Sequence, residues 1–146
     1  MSKAVDLAYM AGIVDGEGCI SIDKVKDKLW LGGFSGKYSY RSKVRIANTN
    51  EWLTNYFLLN WGGWVSKVKP RGNKQKPAYV WNITGEPALD FLKAILPYLK
   101  LKKFQAEIIL KFQEAKKDRH GGKGHHLTDE ERAIEEAQYI TMAKLN

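Results

Sequence analysis

Between Tyr40 and Ala47 the sequence alternates: Arg41, Lys43 and Arg45 take one parity, Val44 and Ile46 the other. Successive side chains of a strand point to opposite faces, so this stretch demands a sheet with one cationic and one apolar face. Cys19–Lys24 repeats the pattern, with Ile20 and Ile22 against Ser21 and Asp23. A strand from Ala78 to Ile83 puts Tyr79, Trp81 and Ile83 on one face and Val80 and Asn82 on the other. Trp64–Lys69 reads as a further strand with Val65, Lys67 and Lys69 on one side. Helices are expected to cover the face of Ile20, Ile22, Val44, Ile46, Tyr79 and Trp81. The opposite face, with Ser21, Asp23, Arg41, Lys43, Arg45, Lys67 and Lys69, is expected to stay open, without apolar residues.

The helical segments fall between these strands. Residues 5–15 carry Leu7, Met10, Ala11 and Val14 on one stripe. Residues 32–39 form a glycine-serine loop at a hairpin tip. Asn48-Thr49-Asn50 offers caps to a helix over Glu51–Asn60, which Gly62-Gly63 breaks. Pro70–Pro77 is a basic turn containing Arg71, Lys74 and Lys76. Pro87 opens the next helix and Pro97 ends or bends it; another runs to about Lys117. Thr128 to Glu131 is a capping box before a last, acidic helix to about Lys144. The order is helix, two strands, helix, two strands, helix, helix, helix, an α+β chain.

Charge sharpens the reading. The net charge is +8, yet residues 24–76 carry twelve Lys or Arg against two acids, and residues 128–146 five acids against two bases. A cationic row on a sheet face repels itself without a negative partner, and a basic block is the footprint of a polyanion. The major groove of DNA admits a two-stranded ribbon. At 146 residues the chain fits one domain. Its one cysteine, Cys19, excludes an intramolecular disulfide and suits a reducing interior. No apolar run approaches the roughly 20 residues of a membrane span, and Asp6, Asp15 and Glu17 interrupt any signal-peptide core. A soluble, intracellular protein is expected. His120, His125 and His126 stand in a glycine loop without cysteines and read as loop residues.

Tyr9-Met10-Ala11-Gly12-Ile13-Val14-Asp15-Gly16-Glu17-Gly18 leads from the first helix into the first strand. Small residues at Ala8, Ala11 and Gly12 permit close approach of another backbone. Read alone, the stretch is equally an ordinary helix end with Asp15 and Glu17 as solvated turn acids. Set before the cationic sheet, Met10–Gly18 resembles the motif of the LAGLIDADG homing endonucleases of the single-motif kind. The element order matches that family's αββαββα core, and Pro97–Ala106 looks like its second recognisable stretch. The resemblance covers roughly residues 5–117, with a C-terminal helical extension over about 128–144.

The resemblance implies a single domain over residues 1–146 whose curved antiparallel sheet is a saddle on double-stranded DNA. It implies a homing-type, site-specific endonuclease that hydrolyses phosphodiesters at a long pseudo-palindromic target and promotes intron mobility. Glu17 would bind metal together with the Gly16 carbonyl, with Asp15 as support; Lys102 and Asn48 would complete the catalytic set. Mg2+ is the implied cofactor, with Mn2+ substituting and Ca2+ binding without cleavage. A homodimer is implied, packed through Leu7, Met10, Ala11 and Val14. The implied DNA contacts are Ser21, Asp23, Lys24, Lys26, Lys28, Lys37, Tyr38, Tyr40, Arg41, Lys43, Arg45, Lys67, Lys69, Arg71, Lys74, Lys76, Asn82 and Lys103. Glu17 stands where the family usually has aspartate, and no basic residue stands near Trp52, where some relatives carry one. The alternative is a non-cutting relative, an RNA splicing maturase or a DNA-binding regulator. An unrelated RNA-binding sheet would instead need exposed aromatics for stacking.

Overall fold

The computed structural model describes residues 3–70, 72, 76–118 and 127–146. Helix α1 (Lys3–Glu17) runs straight into β1 (Gly18–Lys28), and β2 (Phe34–Asn48) returns antiparallel to it. Then come α2 (Glu51–Trp61), β3 (Trp64–Val68), β4 (Ala78–Thr84), α3 (Gly85–Ile95), α4 (Lys103–Asp118) and α5 (Asp129–Leu145). A 3-10 turn at Leu96–Tyr98 holds Pro97 between α3 and α4. The sheet is antiparallel in the order β1-β2-β4-β3.

Register builds the core. Val44 lies opposite Ile20 on one side and Ile83 on the other, and Ile46 lies opposite Trp81. Directly opposed residues share a face, so these side chains form one apolar floor under the helices, each at most 1% exposed. Phe57 and Phe91 pack on Trp81, tilted and edge-on respectively, with ring centroids 4.9 and 5.3 Å away. The Trp81 indole N–H donates to the Gly62 carbonyl at 2.8 Å, satisfying the one polar atom of a wholly buried ring. Gly62 ends α2 at positive φ, and a Cβ on Gly63 would fall 2.1 Å from the Asn82 carbonyl oxygen. The glycine pair therefore lets α2 stop directly against β4.

Four expectations change. The ladder reaches from Gly18 to Lys28 and back from Phe34, so most of the loop expected over 32–39 is strand, with an irregularity between Lys26 and Lys28. Helix α1 reaches Glu17, which puts Asp15 and Gly16 in its last turn and not in a turn beyond it. On β3, Val65 pairs with Trp81 and Lys67 with Tyr79. Lys67 thus stands on the helix side, its ammonium 5.9 Å from the Tyr79 ring, and Trp64, Ser66 and Val68 face the open side. The slip is one residue, and with a period of two it moves every side chain to the other face. The open face also holds apolar residues: Val80 is 3% exposed there, beside Ala47 and Ser66.

The junction of α1 and β1 has no slack. A Cβ on Gly18 would lie 2.8 Å from the Val14 Cα and 2.8 Å from its carbonyl oxygen, both backbone atoms that cannot turn aside. Gly18→Ala is expected to lower stability by about 2 kcal/mol, the scale of overpacking; chemical denaturation of the variant checks it, and an unchanged midpoint would contradict this geometry.

Candidate active site and nucleic-acid interface

The last turn of α1 separates the two acids by function. The Asp15 carboxylate accepts three backbone N–H groups: Lys100 at 2.8 Å, Leu101 at 3.1 Å and Lys102 at 3.0 Å. These lie just ahead of α4, whose first turn includes Ala106 N–H on the Lys102 carbonyl at 3.0 Å. Helix starts leave N–H groups unpaired and favour a nearby negative charge. Asp15 therefore ties down the segment that leads into α4 from a distant part of the chain and has little lone-pair capacity left.

Lys102 answers in the other direction. Its ammonium donates to the Val14 carbonyl at 3.1 Å and to the Gly18 carbonyl. It sits at the negative end of α1, where a cation is stabilising. Two donors are engaged, and an ammonium carries three.

Glu17 is exposed. Its carboxylate accepts the Asn48 amide N–H at 2.8 Å, and the Asn48 amide oxygen accepts Asn50 N–H at 2.7 Å. Asn50 in turn caps α2, its side chain accepting Trp52 N–H at 3.0 Å. This chain of bonds orients the Asn48 amide and through it the carboxylate. Glu17 stands at the negative pole of α1, an unfavourable place for an anion, with the Gly16 carbonyl in the same last turn, where helix carbonyls lack intrahelical partners. Carboxylate and carbonyl oxygens at a negative pole suit a hard cation such as Mg2+. Among the described residues no group of three or more His, Cys, Asp or Glu could hold a metal ion.

The open sheet face begins beside Glu17. Cys19, Arg45, Asn82 and Trp64 form one row across the four strands; Ser21, Lys43 and Thr84 form the next. Asp23 lies opposite Arg41, its carboxylate 3.7 Å from the Arg41 guanidinium and 3.4 Å from the Lys43 ammonium. Asn82 is nearly buried and donates to the Val80 carbonyl at 3.3 Å. Cys19, Trp64, Ser66 and Val68, absent from the expected contacts, join this face; only the pairing of β3 with β4 places the last three there. Trp81 and Tyr79 are inward as expected, so Trp64 is the aromatic that β3 and β4 expose here.

Other expected contacts lie elsewhere. Tyr40 is 5% exposed and its hydroxyl donates to Glu136 of α5. Lys24 pairs with Glu136 at 3.1 Å and lies 4.5 Å from the Tyr38 ring. Lys24, Tyr38 and Tyr40 have the parity of Ile22, so they lie under α5 and not on the open face. Lys26, Lys28, Lys37, Lys69, Lys76 and Lys103 are exposed; Lys69 keeps the parity of Lys67. Arg71, Lys74, His120, His125 and His126 lie outside the described residues. The stripe expected at a dimer contact faces inward. Met10, Ala11 and Val14 are buried in their own protomer and Leu7 packs against the same core. The outward side of α1 carries Val5, Ala8, Tyr9, Gly12 and Gly16, and nothing lies within 4 Å of a Cβ built on Gly12 or Gly16. Beside it Val5, Asp6, Tyr9, Trp52 and Tyr56 line a cavity of about 370 Å3. Burial there, with the neighbouring Asp6 carboxylate, pushes the Tyr56 hydroxyl above the ordinary phenol range.

The roles of the two acids can be separated by stability. Asp15→Ala strips three N–H groups of their acceptor and is expected to cost about 1–3 kcal/mol. Glu17→Gln relieves an anion at a helix C-terminus and is expected to change stability by less than about 0.5 kcal/mol. Paired denaturation curves check both, and a reversed order would overturn the assignment.

No protein-family model matches the sequence, and no curated protein does. Solved structures do match. The homing endonuclease I-CvuI, in complex with a DNA target, superposes with a TM-score of 0.71 at 22% identity over 97% of this chain and 82% of that one. The archaeal intron-encoded homing endonuclease I-Vdi141I, complexed with DNA, gives 0.75 at 14% identity over 99% and 86%. The homing endonuclease I-TnaI gives 0.62 at 16% identity over 95% and 92%. I-SmaMI, a LAGLIDADG homing endonuclease, gives 0.69 at 15% identity, with 97% of this chain covering 45% of that one. The chain has the LAGLIDADG homing endonuclease fold, at the size of one single-motif domain.

Proposed function

We propose that this protein is a homodimeric, metal-dependent, site-specific DNA endonuclease of homing type, cutting both strands of a long pseudo-palindromic target and promoting the mobility of an intron. One observation carries the reading: an exposed carboxylate, Glu17, held by Asn48 at the negative pole of α1 and opening directly onto a cationic sheet face. The likeness to I-CvuI, I-Vdi141I and I-SmaMI, each solved with DNA, supports it. I-CvuI was solved in 2 mM Mg with DNA not cleaved and in 2 mM Ca with its own target, which supports a divalent ion here.

Glu17 and the Gly16 carbonyl would hold Mg2+, which when bound supplies charge neutralisation at the phosphate and an acidified water. Asn48 sets the rotamer of Glu17. Lys102, with a third donor free, would stabilise the scissile phosphate. Arg41, Lys43 and Arg45 would position the duplex, Arg being suited to guanine edges.

The second copy follows from the half-site. One carboxylate per protomer becomes a pair if two α1 helices pack against each other about a two-fold axis, and Gly12 and Gly16 leave their outward sides open for that approach. The I-SmaMI chain has room for a second unit of this size, which supports the same two-unit architecture.

Incubation with Mg2+ and the joined-exon DNA of the host gene is expected to give a double-strand cut. Glu17→Gln should reduce cleavage at least about a hundredfold while Ca2+-supported binding stays within about threefold; Mg2+-dependent cutting by the variant would sink the assignment. Gly12→Leu fills open space within a protomer and should leave its thermal transition in place while sedimentation shifts from dimer to monomer. A dimer that survives the substitution would exclude the α1 contact.

A further inference from the structure

Leu31 and Trp30 are 98% and 86% exposed and stand side by side at the tip of the β1–β2 hairpin. Solvent-facing Trp and Leu at one turn are an unusual use of apolar surface. The turn is closed beneath them by Leu29 N–H on the Gly33 carbonyl at 3.0 Å and Gly32 N–H on the Leu29 carbonyl at 2.9 Å, with both glycines at positive φ. Strand β4 pairs with β2 only over Lys43–Asn48, so residues 34–42 pair with β1 alone and form a two-stranded ribbon. That ribbon is braced from behind by α5: the Arg132 guanidinium donates to the Tyr38 carbonyl at 2.6 Å and lies 3.5 Å from the Asp27 carboxylate. Lys26, Lys28 and Lys37 surround the tip, Lys26 standing 5.2 Å from the Phe34 ring.

The tip is therefore an apolar point flanked by cations: Lys37 has the parity of Arg45, Lys43 and Arg41, and Lys26, paired with Tyr38, flanks it on the α5 side. A duplex has the complementary arrangement, anionic outside and apolar in the base stack. From Gly18 to Lys28 the strand rises about 33 Å at about 3.3 Å per residue, close to one turn of B-DNA, about 34–36 Å. Resting on the reading of the chain as a duplex-binding nuclease, we infer that Trp30 and Leu31 form a wedge that seats against base steps about ten base pairs from the cleavage point and partly unstacks them. Apolar side chains are known to act between base steps in this way. The wedge anchors the outer end of each half-site and favours a flexible pyrimidine–purine step there.

The test uses a duplex that the wild-type protein selects from a random pool in Ca2+, with 2-aminopurine placed about 6 to 12 base pairs from the centre. Wild type should raise the fluorescence near position ten. The double variant Trp30→Ala, Leu31→Ala should not, and should bind about tenfold more weakly. On a duplex trimmed inside position eight the two proteins should bind alike. Equal fluorescence and equal affinity for the full duplex would overturn the wedge while leaving the nuclease reading intact. Failure of wild type to select any duplex would overturn the nuclease reading itself. Tip-dependent flotation with anionic phospholipid vesicles, with no tip effect on DNA, would assign the point to a lipid surface instead. The tip touches no core residue, so matched melting curves of variant and wild type establish that the comparison is between folded proteins.

Discussion

Helices α1 and α4 hold each other by their ends, and the candidate site exists because of it. Asp15 at the C-terminus of α1 ties down the segment that leads into α4, and Lys102 at the start of α4 neutralises the end of α1. Each places its charge where the other helix's dipole favours it. The two sets of bonds are reciprocal, so neither helix can shift without breaking bonds to half-buried groups at Lys102, Val14 and Gly18. With that junction rigid, and Gly18 allowing no lateral play, the direction of Glu17 is decided before any ligand arrives.

The same junction leaves one charge unsatisfied. Asp15 is consumed by three N–H donors, whereas Glu17 has only the Asn48 amide and sits at the wrong pole of its own helix. Such local conflict is costly in a protein selected for stability alone and is expected at functional sites. Under the proposed reading, a bound cation would resolve it. The sheet obeys similar logic on a larger scale. Its helix side is filled by Trp81, Phe57 and Phe91, while its open side keeps Arg41, Lys43 and Arg45 with only Asp23 among them as a counter-charge. Exposed ion pairs of this kind add little stability, which leaves the cations available to an external anion.

Helix α5 shows how a peripheral element shapes the interface. Lys24, Tyr38 and Tyr40 look like groove residues when counted by charge and aromaticity, but Glu136 and Arg132 draw that side of the ribbon against α5. Their loss from the groove braces the ribbon that carries Trp30 and Leu31.

Much was legible in the residues alone. Alternation between Arg41 and Ile46 determined a two-faced sheet, because strand side chains can only alternate; the order of elements, the capping box at Thr128 and the break at Gly62-Gly63 followed from local chemistry, and the candidacy of Glu17 from the resemblance of Met10–Gly18 to the LAGLIDADG motif. Tertiary structure decided what local chemistry leaves degenerate. Register placed Lys67 with Tyr79 and gave the open face to Trp64, Ser66 and Val68, since one residue of slip inverts a strand and nothing within β3 prefers either choice. Packing of α1 buried Met10, Ala11 and Val14 and left Val5, Ala8, Gly12 and Gly16 outward, since a helix with small or apolar residues all round does not say which stripe meets its own core. The resemblance already set Glu17 apart from Asp15, but the partners of Asp15 came from the fold, because the N–H groups that occupy it lie some 85 residues away in sequence and reach it only when α4 docks.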